Sequence, residues 1–169
     1  MNESGDFAGS GVRPCVSQKA LESTISIQRF AAFASGPSRG GNPAGVVVVS
    51  ALPPPETMQA IAAETGYSET VFAAPLGDGW RVRYFSPEAE VQFCGHATIA
   101  LGAALADQLG DGVFHLMLNT AQISVEGRRT PSGAWAALQS PTTSSQDASD
   151  ALVAAALAIF SYASEDVDP

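Results

Sequence analysis

The sequence predicts an α+β domain in which strands outnumber helices and a sheet surrounds one apolar helix. Two observations carry this. Runs such as VVVV (46–49), YSETVFAAP (67–75), WRVRYFSP (80–87), FHLMLNT (114–120), AQISVEGRR (121–129) and GAWAALQSP (133–141) have the β-branched or alternating character of strands. From Ala97 to Ala106 the only polar side chain is Thr98, so a helix there has no face for water and needs cover all round. In a chain of 169 residues that cover is sheet wrapped on several sides, or, for one face, a partner subunit.

In chain order, residues 1–22 are rich in Gly and Ser without periodicity and read as a flexible extension. Ile25, Ile27, Arg29 and Phe30 suit a first strand ending in AAFA (31–34). SGPSRGGNPAG (35–45) reads as a turn-rich loop, broken by Gly40, Gly41 and Pro43. VVVV is a buried strand by type. In LPPPETMQAIAAETG (52–66) the prolines before Glu56 suit a helix start and Gly66 its end. Gly77-Asp78-Gly79 is a hairpin turn, with Trp80, Val82 and Tyr84 on one face of the returning strand and Arg81, Arg83 and Phe85 on the other. The apolar helix occupies about 94–109, and three more strands follow. PTTSSQDASD (141–150) is a linker whose end suits a cap for a helix from about Ser149 to Tyr162. The expected division is thus an extension (1–22), one lobe (23–145), and a linker with a C-terminal helix or tail (146–169).

Charge and composition exclude several roles. A net charge of −9 disfavours nucleic acid and anionic membrane, which select basic surface. The apolar uncharged run from Ala151 to Ser164 falls short of the roughly 20 residues a membrane helix needs. Cys15 and Cys94 make no disulfide framework, so a reducing cytoplasm is the default. The two histidines, His96 and His115, and two distant cysteines show no metal-ligand spacing. No phosphate-loop or dinucleotide fingerprint appears.

The head of the apolar helix is where chemistry is expected. Its first N–H groups have no partner within the helix and carry a partial positive charge. If Cys94 or Gly95 opens the helix, the amides of Gly95, His96 and Ala97 form an anion site, and Gly95 lets a carboxylate approach the backbone. A Cys94 thiol in that place has a lowered pKa and is a candidate base or nucleophile. The plainer alternatives are a small core cysteine and a histidine that merely caps. On residues alone, Glu69 is equally well a solvated residue on a polar strand face.

Four motifs, GNPAGVVV (41–48), YSETVF (67–72), RYFSPEAEVQFCGHAT (83–98) and LNTAQISV (118–125), together resemble the PhzF family of phenazine-biosynthesis-type isomerases, in the diaminopimelate epimerase-like superfamily. The resemblance covers about Thr24 to Ser140. It implies a lobe with a barrel-like, mostly antiparallel sheet around the central helix, and cofactor-independent proton transfer next to a carboxylate in a small metabolite. It implies Glu69 as the general acid/base, His96 as its assistant or a substrate holder, and Asn42, Cys94, Gly95, Ala97 and Thr98 as the substrate-binding set. Family members have a second, similar lobe that completes the cleft, and no second set of motifs follows residue 145. The expectations are a fragment inert alone, a homodimer that rebuilds the cleft from two copies, or a binding or dimerisation module without chemistry.

Overall fold

A computed structural model of the chain describes residues 25–35, 40–131 and 133–167. The extension expected over residues 1–22 lies outside them. Eight strands and three α-helices follow in the order β1 (Gln28–Ala32), β2 (Asn42–Val48), α1 (Pro55–Thr65), β3 (Glu69–Leu76), β4 (Gly79–Phe85), β5 (Glu90–Val91), α2 (Gly95–Leu109), β6 (Gly112–Met117), β7 (Gln122–Thr130), β8 (Gly133–Leu138) and α3 (Asp150–Phe160). They form one mixed sheet of order β1-β2-β3-β4-β6-β7-β8, with β5 paired to β4. The β2–β3 and β4–β6 pairs are parallel and the other five antiparallel.

The sheet curls around α2, as an apolar helix demands. Residues Ala100 to Ala106 of α2 are all buried, and Leu101, Ala104 and Leu105 pack with Val46, Val71, Val82, Tyr84, Leu116 and Val125. The alternation of β4 divides its side chains as expected: Val82 and Tyr84 face α2, while Phe85 turns to a second core with Phe72, Val47, Met58 and Ala62 beneath α1. The enclosure is incomplete. The edge strands β1 and β8 do not meet, and between them runs a groove of about 930 Å3 with Ile99, Ala100 and Ala103 as its floor and Phe30, Phe33 and Trp135 among its walls.

One strand boundary differs from the sequence reading. Asn42, Pro43, Ala44 and Gly45 belong to β2 and not to the preceding loop: Pro43 stands opposite Ala31 of the edge strand β1, and near a strand start its missing N–H is tolerated. α1 begins on Pro55 and ends at Gly66, whose φ of 70° is the left-handed cap that glycine adopts without strain. Ser149 caps α3 through its side chain, accepting from Leu152 N–H, yet α3 buries none of its residues and so covers no open face of the lobe. Among the described residues, no helix is long and apolar enough to cross a membrane.

Candidate active site

Cys94 is the residue on which α2 starts. Its extended backbone (φ −142°, ψ 114°) carries the chain out of the sheet, and Gly95 is the first helical residue. Thr98 fastens this turn twice: its N–H donates to the Cys94 carbonyl at 3.0 Å and its hydroxyl to the same oxygen at 2.7 Å. A hydroxyl has one proton, so the 2.8 Å contact between Thr98 Oγ1 and Tyr84 Oη is donated by the tyrosine. Burial pushes the Tyr84 phenol far above its ordinary pKa. Thr98 is therefore buried, with its hydroxyl engaged inside the protein; it holds the helix head and offers nothing to a ligand.

The segment leading to the head is held by a clamp of charged groups. Arg83 grips Glu90 through two hydrogen bonds, at 2.7 and 2.5 Å. Asn119 donates to Glu90 at 2.6 Å and accepts from Arg81, which also donates to the Met117 carbonyl at 2.9 Å. The Arg83 hydrogen bond lowers the Glu90 pKa against the opposing effect of burial. This explains why the RYF, PEAE and LNT stretches act together: they fix the two residues of β5 and aim Cys94 and Gly95.

Glu69 reaches the same place from β3. The parallel register sets Glu69 beside Ala44, and alternation puts it on the face of Val71 and Ala73, toward α2. Its Oε2 lies 3.4 Å from His96 Nε2, with side-chain exposures of 21% for the glutamate and 10% for the histidine. The other ring nitrogen, Nδ1, is 3.1 Å from Cys94 Sγ. The structure thus joins Glu69, His96 and Cys94, residues from two elements, into one half-buried cluster whose donor atoms all lie within 4.8 Å of one another. Ser68 Oγ, which the sequence reading passed over although YSETVF contains it, is 3.4 Å from His96 Nε2. Asn42 stands exposed at the first position of β2 and makes no hydrogen bond to this cluster.

The thiol departs from expectation. Burial pushes the Cys94 pKa up to about 11; the amides of Ala97 and, less strongly, His96 act the other way, and the neighbouring Glu69 raises it further. The helix head lowers a thiol pKa only when its field exceeds the desolvation and the adjacent carboxylate; here it does not. Cys94 at neutral pH is a protonated thiol. The first-turn amides of Gly95, His96 and Ala97 have no carbonyl partners within the helix. Around Gly95 there is space, since a Cβ would meet only Leu138 Cδ2, at 3.9 Å.

A family model described as PhzC-PhzF, phenazine biosynthesis-like protein, matches residues 30–166. The chain is 53% identical over 77 residues to an uncharacterized isomerase of Deinococcus radiodurans, covering 45% of this chain and 25% of the relative. It is 38% identical over 103 residues to one of Pseudomonas aeruginosa, covering 60% and 39%. The solved structure of a phenazine biosynthesis protein of the PhzF family from Enterococcus faecalis aligns with a TM-score of 0.53 and 33% identity, over 60% of this chain and 40% of that one. The chain therefore spans 25% to 39% of the length of these curated relatives.

Proposed function

From the premise that this chain belongs to the PhzC-PhzF family of phenazine biosynthesis-like proteins, we propose that it carries the proton-transfer half of an isomerase site. Glu69 takes a proton from a carbon next to a carboxylate in a small metabolite: the C–H bond breaks, an O–H bond forms on Glu69, and the electron pair moves into the carboxylate. That carboxylate sits on the amides at the head of α2, where the gathering charge meets N–H groups already oriented. Return of the proton to the same carbon or its neighbour gives epimerisation or isomerisation. His96, 3.4 Å from the Glu69 carboxylate, assists the transfer, and Asn42 at the strand start helps to hold substrate.

The observation that carries the reading is the convergence of Glu69 and His96 on the open first turn of α2. The relatives' isomerase names and the family match support it. The cleft that the resemblance implies lies between two similar lobes; in the pairing reading a second copy meets the first across a two-fold axis and supplies the opposite helix head.

The test is hydrogen exchange in heavy water over a panel of small carboxylic acids, read by NMR or mass spectrometry. Exchange next to a carboxylate that disappears in Glu69→Gln supports the assignment; exchange that survives Glu69→Gln removes Glu69 as the base. No exchange in any acid, with saturable binding retained, leaves a ligand-binding module. Light scattering showing only monomers at working concentration rules out pairing.

A further inference from the structure

We infer that Glu69, Cys94 and His96 form a site for one thiophilic divalent cation, Zn2+ by preference, and that filling it silences the proton-transfer site. The inference deepens the reading above and rests on it only for the effect on exchange; the cation site itself rests on geometry.

Three donor types that zinc accepts, carboxylate oxygen, thiolate sulfur and imidazole nitrogen, come together within 4.8 Å. Around tetrahedral zinc such atoms stand roughly 3.3–3.6 Å apart, from metal–ligand bonds of about 2.0–2.3 Å. Here Cys94 Sγ and His96 Nδ1 are 3.1 Å apart. Small side-chain movements bring the set to a metal shell. The sulfur side of the ring offers Nδ1 to the cation; Nε2–H then faces Ser68 Oγ at 3.4 Å, an outer partner of the kind that orients metal-bound histidines. The carboxylate has two oxygens, so one can turn to the cation.

Two features complete the site. The amides of Ala97 and His96 face the sulfur and favour its charged form, so a thiolate made by metal binding has waiting donors. With three protein donors, the fourth position is left to water or a substrate carboxylate, the arrangement of zinc sites with an open position. Binding balances as one Zn–S bond formed and one S–H proton released to solvent, without change of oxidation state. Consequently Glu69 is tied to the metal and unavailable as a base.

Cobalt(II) is the probe, because its thiolate complexes absorb in the near ultraviolet and its four-coordinate complexes absorb strongly in the visible. The 169-residue chain carrying Cys15→Ser, which removes the other thiol, is titrated with Co2+ and then with Zn2+. A charge-transfer band saturating at one cobalt per chain, displaced by zinc, absent in Cys94→Ser and weakened about tenfold or more in His96→Gln and Glu69→Gln, supports the site. No band, or a band that survives Cys94→Ser, overturns it. Should Cys94→Ser lose its fold by circular dichroism, Cys94→Ala takes its place. Cobalt binding needs no substrate, so it is decided apart from catalysis: a band without exchange in any acid keeps the cation site and removes the catalytic reading. Exchange that persists at saturating zinc overturns the silencing.

Discussion

Gly127 of β7 lies directly against the backbone of Gly102 in α2. A Cβ on Gly127 would crowd the Gly102 carbonyl and stand 2.9 Å from Ala106 Cβ; one on Gly102 would stand 2.5 Å from Val125 Cγ2 and 3.2 Å from Ala136 Cβ. Helix and strand touch through this pair because neither carries a side chain. Gly127→Ala is expected to destabilise the lobe by about 1–3 kcal/mol through overpacking, measured by urea denaturation.

The Tyr84–Thr98 relay predicts an asymmetry. Tyr84→Phe removes one buried hydrogen bond and leaves Thr98 donating to Cys94, an expected loss of about 0.5–1.5 kcal/mol. Thr98→Val also strands the buried Tyr84 hydroxyl, and its expected cost is larger, about 1–3 kcal/mol. Equal urea midpoints for the two variants would contradict the added cost of stranding the Tyr84 hydroxyl.

Cys94 predicts a slow thiol. In a Cys15→Ser background, iodoacetamide labelling should rise with pH toward a midpoint of about 11 and not the ordinary 9.0. At neutral pH it should run about 100-fold below an ordinary thiol, from two units at tenfold each. The folded state favours the neutral thiol. Its contribution to stability is therefore complete below the unfolded thiol's pKa of about 9.0 and is lost as pH rises through the folded value. Urea titrations at pH 8 and pH 10.5, compared between Cys94 and Cys94→Ala, check that sign.

His96→Gln separates assistance from folding. If His96 helps Glu69 move a proton, exchange next to the carboxylate should fall about 10²–10⁴-fold, with the urea midpoint little changed. An equal loss of stability would instead assign the ring a packing role.

Much of the fold is legible in the residues because two patterns are strong. The apolar run in 97–106 demands a helix with cover on most sides, and the alternation in Trp80–Phe85 assigns two faces that the two cores use. NPAG was misleading because Pro43 and Gly45 are local turn signals, while the pairing of Pro43 with Ala31 is tertiary. β5 has only two residues, too few for a periodicity of their own, and the Arg83–Glu90–Asn119 clamp fixes them. For the candidate site, the Cys-Gly-His head could be read locally. Glu69 was reached only by its motif, since the parallel β2–β3 register that brings it to the head leaves no mark within YSETVF. The raised thiol pKa was missed for the same reason: helix position is local, whereas burial and a carboxylate 25 residues away in the chain are not.

The groove between β1 and β8 also bears on colloidal behaviour. Among the described residues the ladders at both sheet edges are open, and open ladders recruit other strands. β8, GAWAAL, has no charge, lysine or proline among the features that keep edge strands apart, and its own Trp135 is 44% exposed. The weak point of this lobe in concentrated solution is thus its rim, where unpaired backbone meets exposed aromatic surface, while the glycine-tight interior stays intact.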